Sequence, residues 1–169
     1  MKIVILERNS VGTDISVDAI GRYGEVTAYA NTTGEEAAGR IADADIVIAN
    51  KTPLNESTLK DAGNVKLICL FATGYDNVDL KYCKSRGIKV ANVVNYSTDA
   101  VAQHTFALCL YLLEKLRHYD DYVKSGQYAA QDRFSNFDIP YTELAGKTWG
   151  IVGMGNIGRK VGRIAQAFG

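Results

Sequence analysis

The chain has 169 residues with 19 basic and 19 acidic side chains, and this balance gives no reason to expect a nucleic-acid or anionic-membrane partner. Hydrophobic residues make up 47% and charged residues 22%, as in folded globular proteins rather than disordered ones. The longest apolar run, at 106–113, is too short to span a bilayer. Three cysteines without metal-ligand spacing and the lack of a signal-peptide pattern after Met1 predict a cytoplasmic protein without a metal site.

The first half of the chain alternates β-branched apolar runs with stretches that favour helices. Thr33 and Glu36 have the spacing of a capping box, and Gly87 suits a left-handed helix cap. Such alternation predicts an α/β fold, a doubly wound, flavodoxin-like parallel sheet of about five strands. In chain order the pattern predicts a strand at 2–6, a weak helix at 14–23, a strand at 25–29, a helix at 33–41, a strand at 45–49, a helix at 56–62, a strand at 65–71, a helix at 80–85 and a strand at 88–91.

The pattern changes after Asn95. Apolar positions at helical spacing predict one long helix, capped by Thr98 or Asp99 and running to His118 or on to Lys124. The aromatic-rich stretch at 125–141 then loses this periodicity. We therefore expect one domain over residues 1–97 and, over 98–169, a linking helix, an arm and part of a second domain.

A glycine-rich turn lies between two structured segments near residue 150. Residues 148–152 are apolar and predict a buried strand, and the positions after Gly158 have the spacing of an amphipathic helix. In that context Gly153 permits a tight turn, Gly155 leaves room for a diphosphate, and Gly158 lets the helix pack closely on the strand. The pattern indicates the first βα unit of a Rossmann domain, with a purely structural turn as the alternative.

In parallel sheets ligands bind beyond the carboxyl ends of the strands. Gly74 in the middle one of the three loops expected there could turn its amides outward, and Lys51 could add a positive charge. Together they would suit a small carboxylate. The side chains of Asp76, Asn77 and Asp79 are more typical of turn and cap residues. The three loops span 50–54, 72–79 and 92–99.

Three separated motifs resemble the D-isomer-specific 2-hydroxyacid dehydrogenases, and within that family the glycerate dehydrogenase or hydroxypyruvate reductase branch. They are the loop at 72–79, the run at 95–105, and residues 143–148 leading into the glycine turn at 153–158. The resemblance covers nearly the whole chain, with the motifs in the family's order. It implies NAD- or NADP-dependent interconversion of a 2-oxo acid and a D-2-hydroxy acid.

The resemblance also implies roles for individual residues. Thr73, Gly74 and Tyr75 would hold the substrate carboxylate, with Lys51 close by. The long helix and the arm after it resemble the family's dimer contact, which predicts a homodimer. The residues expected to bind the dinucleotide are Thr98, Gly153, Gly155, Asn156, Ile157 and Gly158.

The family's catalytic Arg, Glu and His match no position of this sequence, so we expect no catalytic residue in this chain and negligible turnover by the chain alone. His104 and His118 have no carboxylate at helical spacing and are predicted to be structural or solvated. Two other functions stay open. One is a non-catalytic, dinucleotide-sensing or dimerising scaffold of the corepressor type, and the other is a flavodoxin-like mononucleotide-binding module.

Overall fold

A computed structural model describes residues 1–169, and its internal contacts divide the chain into two compact units. The first unit is Met1–Val94 and the second is Asn95–Gly169. Strands occur only in the first unit. The substrate and cofactor roles expected for residues 1–97 and 98–169 remain predictions.

The first unit is built on one five-stranded sheet in which all neighbouring strands are parallel. The order β2-β1-β3-β4-β5 confirms the doubly wound, flavodoxin-like arrangement. In this order the chain reverses its direction of winding between β1 and β3, which makes the carboxyl ends of those strands the topological switch point. The strands are β1 Lys2–Ile5, β2 Glu25–Ala28, β3 Ile46–Ala49, β4 Leu67–Leu70 and β5 Lys89–Ala91.

Burial explains why the central strands read as continuous apolar runs. In β1, Val4 packs into one core cluster, whereas Ile3 and Ile5 pack into another with Ile48 of β3. Successive side chains of a strand point to opposite faces, so both faces of β1 are covered. Access to the sheet is therefore left to the loops at its edges.

Helices cover the sheet, and two of their predicted capping features are confirmed. Thr33 and Glu36 form the predicted capping box before α1, and Gly87 has a φ of 70° after α3. Two predicted helices are wrong in extent. The weak helix at 14–23, which contains Gly21, is a 3-10 helix over Asp18–Tyr23, and the helix at 56–62 is regular only over its first turn. The α-helices of this unit are α1 Gly34–Ile41, α2 Glu56–Leu59 and α3 Leu80–Ser85.

The second unit contains helices joined by stretches without regular secondary structure. The predicted long helix is wrong as one element, because Lys115 adopts a left-handed φ of 54° and divides it in two. Nothing in the local sequence accounts for this break. The N-cap is Ser97 rather than Thr98 or Asp99, and its side chain makes no capping bond. None of the helices combines the length and apolar character needed to cross a bilayer. They are α4 Thr98–Leu113, α5 Leu116–Lys124, α6 Gln127–Ala130 and α7 Asn156–Gln166.

The predicted strand at 148–152 is also wrong. The segment forms no ladder, because no other strand in residues 95–169 pairs with its backbone groups. Side chains hold it instead: Trp149 and Ile151 pack against a buried cluster formed by Ala102, Phe106 and Val161. The apolar run was identified correctly as a packing segment and incorrectly as a paired strand.

Candidate functional site

The loop that follows β4 presents backbone amides to solvent. Ala72 is buried, but Thr73, Gly74 and Tyr75 are exposed, and no backbone or side-chain acceptor within the chain bonds to the amides of Gly74 and Tyr75. Gly74 is not in the positive-φ region. A Cβ there would meet only the Asp76 Oδ1 at 3.2 Å. Backbone conformation therefore does not require glycine at position 74, although we expected Gly74 to be needed to turn the amides outward. Its lack of a side chain leaves the amides accessible.

The same loop is tied down on both sides. The Thr73 hydroxyl donates to the Val93 carbonyl at 2.7 Å, and Asn92 Nδ2 donates to the Thr73 carbonyl at 2.7 Å. On the other side, Asn77 Nδ2 donates to the Thr52 carbonyl at 2.9 Å. Because the hydroxyl hydrogen of Thr73 is used internally, this residue can reach a carboxylate only through its backbone. Asp79 caps α3, as its residue type predicted.

Lys51 lies on the turn after β3, and its backbone is already occupied. The Glu7 carboxylate, immediately after β1, accepts hydrogen bonds from the amides of Asn50, Lys51 and Thr52 at 2.6–3.2 Å. The Lys51 residue is exposed. Sequence reasoning missed Glu7. The available signal was an acidic residue at the carboxyl end of an apolar strand, where backbone amides of neighbouring loops gather.

The position of Glu7 bears on the mononucleotide hypothesis. In a flavodoxin-like sheet the anionic ligand binds at the switch point, which here lies between β1 and β3. The amides of Asn50, Lys51 and Thr52 at that point already hold a carboxylate from the chain itself. A phosphate at the same amides would have to displace Glu7, so the geometry does not favour a flavodoxin-like module.

The three glycines of the second unit differ in their surroundings. Gly153 has a φ of 95°, which side-chain-bearing residues rarely adopt. A Cβ on Gly158 would overlap the Gly153 carbonyl oxygen, so glycine is needed there for close approach. A Cβ on Gly155 would meet no atom within 4 Å. Glycine is thus needed for its backbone conformation at Gly153 and for close packing at Gly158, whereas the turn is open at Gly155, where the predicted diphosphate would lie.

The first turn of α7 adds free donors to this opening. The amides of Asn156, Ile157 and Gly158 have no acceptor within the chain, as expected for the start of a helix. The N-cap is Gly155, which has no side chain to satisfy them, and the first turn contains no acidic residue. Free amides and the positive end of the helix dipole make this an anion-binding position.

Polar contacts join the start of α7 to the start of α4. The Asn156 side chain donates to Asn95 Oδ1 and accepts from Arg159, and these contacts hold it in place. Lys160 pairs with Asp99 at 2.8 Å, and this hydrogen bond and charge hold the pKa of Asp99 below its ordinary value. Thr98, the first residue of α4, is half-buried. The six predicted dinucleotide-binding residues thus lie on two connected helix starts.

The remaining chemistry-bearing side chains form no second site. His104 is exposed on α4. His118 packs against the rings of Tyr119 and Tyr122, with Nε2 buried and unpaired. Neither histidine forms an ion pair with a carboxylate. No group of three or more His, Cys, Asp or Glu side chains is placed to hold a metal ion.

Comparison with known proteins gives consistent matches. The family model described as "D-isomer specific 2-hydroxyacid dehydrogenase, catalytic domain" matches residues 3–159. A hydroxypyruvate reductase from Blautia hydrogenotrophica is 37% identical over 100% of this chain and 54% of its own length. A glycerate dehydrogenase from Methylorubrum extorquens is 36% identical over 99% of this chain and 53% of its own. The chain therefore spans about half the length of these relatives.

One solved structure also matches nearly the whole of this chain and about half of its own. The D-lactate dehydrogenase from Aquifex aeolicus, complexed with NAD and lactic acid, superposes with a TM-score of 0.80 at 28% identity. The match covers 99% of this chain and 49% of that one. The α/β fold predicted from the strand pattern is thus shared with a protein of known structure.

The glycine turn gives a test by substitution. We expect Gly158→Ala to lower the free energy of unfolding by about 2 kcal/mol, because the new Cβ overlaps the Gly153 carbonyl. Gly155→Ala should change it by less than about 0.5 kcal/mol, because the space there is open. Urea denaturation followed by the fluorescence of Trp149, the single tryptophan, reports on this unit.

Gly162→Ala, on the same helix as Gly158, is the matched control, since its Cβ would make an ordinary contact of 3.5 Å with Ile151. It should be neutral or slightly stabilising. Equal losses of stability in Gly155→Ala and Gly158→Ala would contradict the distinction drawn between the two glycines.

The Asp99–Lys160 pair predicts a pH dependence. A carboxyl group whose pKa is lowered on folding adds stability above its unfolded pKa, and that stability is lost as the pH falls through the folded pKa. In a carbon-detected NMR titration we expect the pKa of Asp99 to lie below the ordinary value of an aspartate, and to be higher in Lys160→Met. Arg163→Gln, which removes a weaker charge effect, should raise the midpoint less. An Asp99 midpoint unaffected by Lys160→Met would show that the pair does not form in solution.

Proposed function

The chain belongs to the D-isomer-specific 2-hydroxyacid dehydrogenase family, and from that membership we propose that it is the N-terminal part of an NAD-dependent oxidoreductase. The proposed reaction interconverts a 2-oxo acid and a D-2-hydroxy acid, of the hydroxypyruvate and glycerate kind. The named relatives are a hydroxypyruvate reductase and a glycerate dehydrogenase. Because this chain covers about half of each, the activity is proposed for the whole protein and not for residues 1–169 alone.

One observation carries the proposal: each unit presents backbone amides that lack an acceptor within the chain. In the first unit they are at Gly74 and Tyr75, and in the second at Asn156, Ile157 and Gly158. Amides of this kind are strong partners for anions. A 2-hydroxy acid brings a carboxylate and a dinucleotide brings a diphosphate, so the two sets match the two anionic groups of the reaction.

Roles in the first unit follow from the contacts. The amides of Gly74 and Tyr75 hold the substrate carboxylate, and the Thr73 backbone sets the position of the turn. Lys51 supplies a positive charge from the neighbouring turn. Its ammonium is exposed and makes no ion pair. Binding by amides and one flexible cation selects for a carboxylate. The remainder of the acid must be recognised by other groups.

Roles in the second unit follow in the same way. We assign the diphosphate to the opening at Gly155, because a Cβ there would meet no atom within 4 Å. The amides of Asn156, Ile157 and Gly158 bind its oxygens, Gly153 and Gly158 hold the turn in shape, and Thr98 lies at the adjoining helix start. The dinucleotide, when bound, supplies or accepts a hydride. We propose NAD, with NADP as the alternative, because the D-lactate dehydrogenase relative binds NAD.

Two further parts of the proposal concern the setting of the protein. All three cysteines are free thiols, which supports a reducing compartment, the cytoplasm. Helix α4 and the arm after it expose large apolar side chains, including Leu108, Leu112 and Phe134 at 54%, 66% and 91%. Contiguous exposed apolar surface marks interaction sites. We assign this surface to a homodimer contact.

The function is tested by binding and by turnover. Residues 1–169 should bind NADH saturably. Gly155→Ala should weaken this binding about tenfold, because the new Cβ would occupy space assigned to the diphosphate and weaken about one charge-assisted hydrogen bond to it. No oxidation of NADH with hydroxypyruvate is expected, because neither histidine has a carboxylate partner to set it up as an acid or base. Isothermal titration calorimetry measures the binding of NADH, and the absorbance of NADH measures its oxidation.

Gly162→Ala again provides the control and should bind NADH like the parent chain. Absence of NADH binding, or binding unaffected by Gly155→Ala, would contradict the cofactor assignment. Robust turnover by residues 1–169 would contradict the expected inactivity of this part and would require a catalytic group among its own side chains.

The dimer contact is tested by introducing a charged side chain into the exposed apolar surface. Leu112→Glu places a carboxylate in the exposed apolar surface of α4 and should convert a dimer into a monomer in analytical ultracentrifugation. Ile15→Glu makes the same kind of change at a side chain that is 53% exposed in the first unit, and it should leave the dimer intact. A monomeric parent chain, or equal effects of both substitutions, would rule out this surface as the contact.

A further inference from the structure

Glu7 is an internal ligand of a backbone anion site. Both of its carboxylate oxygens accept hydrogen bonds from three consecutive amides, at 2.6 Å from Asn50, 2.9 and 3.0 Å from Lys51, and 3.1 and 3.2 Å from Thr52. Consecutive amides that converge in this way form a concavity suited to an anion. The side chain comes from the end of β1 and the amides from the end of β3, so the contact joins two loops far apart in sequence.

The turn held by Glu7 is connected to the acid-binding loop. Thr52 is 2% exposed, and its carbonyl accepts from Asn77 Nδ2 at 2.9 Å. Two backbone bonds reinforce the connection: the Leu54 amide donates to the Asn77 carbonyl at 2.8 Å, and the Asp79 amide donates to the Leu54 carbonyl at 2.9 Å. A displacement of the turn would therefore be transmitted to the loop that carries Gly74 and Tyr75.

We propose that Glu7 is a positioning residue for acid binding. Its charge holds the Asn50–Thr52 turn in the shape from which Lys51 extends, and through Thr52 and Asn77 it fixes the loop with the free amides of Gly74 and Tyr75. The inference rests on the proposed function, in which those amides receive the substrate carboxylate.

A second consequence of the same contact is selectivity between two amide turns. The chain presents one at Asn50–Thr52 and another at Gly74–Tyr75, and a small carboxylate could bind either if both were empty. Glu7 fills the first, which leaves the second as the free site of the unit. The carboxylate thus prevents an acid from binding in an unproductive position.

The charge of Glu7 is what the contact requires. In Glu7→Gln one oxygen is replaced by an NH₂ group, a donor that would face other donors and leave amides unsatisfied. Glu7→Asp keeps the charge but shortens the side chain by one methylene. Glu7→Ala empties the concavity, and small carboxylates such as acetate or formate can then enter it.

The experiment uses nitrogen–proton NMR spectra of residues 1–169, with oxamate, an unreactive analogue of a 2-oxo acid, as the probe. In the parent chain oxamate should shift the Gly74 and Tyr75 amides. Glu7→Gln should weaken this binding about threefold or more, a typical effect of a change in a coupling network. The affinity of Glu7→Asp for oxamate should lie between that of the parent chain and that of Glu7→Gln. In Glu7→Ala, acetate should restore the parent positions of the Asn50–Thr52 amides and the affinity for oxamate.

A structural role alone would not produce this pattern, and a control separates the two. Asp45→Ala removes the acceptor of the Lys2 amide, a 2.7 Å hydrogen bond at the amino ends of β1 and β3, which is the opposite edge of the sheet. It should lower stability without changing the affinity for oxamate. The connection through Asn77 is tested by a double-mutant cycle, in which Glu7→Gln and Asn77→Ala should lose less affinity together than the sum of their separate losses.

The results distinguish the two levels of inference. Absence of oxamate shifts at Gly74 and Tyr75 in the parent chain would overturn the proposed substrate site. Positioning by Glu7 is judged in the ligand-free spectra, where Glu7→Gln should shift the amides of 72–79 as well as those of 50–52. Shifts confined to 50–52, or an affinity for oxamate equal to that of the parent chain, would overturn the proposal for Glu7.

Discussion

A backbone amide without an internal acceptor must bond to water or to a ligand, and this requirement decides where the chain can hold anions. The exposed loop at Gly74 and Tyr75 and the first turn of α7 are two places with amides of this kind, one in each compact unit. At a third place, the turn at Asn50–Thr52, Glu7 is the acceptor. The capacity of the chain for ligands thus depends on which amides its own carboxylates leave free, more than on any cluster of reactive side chains.

The parallel sheet explains why two of these places are neighbours. All five strands end at the same edge, and helices and loops bury both faces of the central strands. The loops after β3 and β4 continue the pairing of those strands, through an isolated parallel bridge between Leu54 and Val78. This bridge and the Asn77 side chain make the two loops one structure. The amides at Gly74 and Tyr75 are therefore presented by a supported loop, which lowers the ordering cost of binding a small acid.

Local patterns predicted the parts of the structure that local forces determine. The strands follow from apolar runs, the α1 capping box from Thr33 and Glu36, and the left-handed cap from Gly87. The contact of Glu7 with amides 43–45 positions away could not be predicted, because nothing near Glu7 in the sequence specifies its partner. The segment 148–152 shows the opposite error. Its composition favours a strand, but pairing is a property of the neighbouring backbone, and no strand in its own unit provides it.

The same unpaired segment nevertheless shapes the candidate diphosphate site. A Cβ on Gly158 would lie 3.3 Å from Ile151 Cγ2, and one on Gly162 would lie 3.5 Å from Ile151 Cδ1. These glycines are one helical turn apart and share a face of α7, so together they form a shallow groove that receives the Ile151 side chain. Larger residues at both positions would push α7 away from the segment and change the angle at which its first amides face the opening at Gly155. The apolar run before the glycine turn thus acts through packing, which sets the position of α7 without any strand ladder.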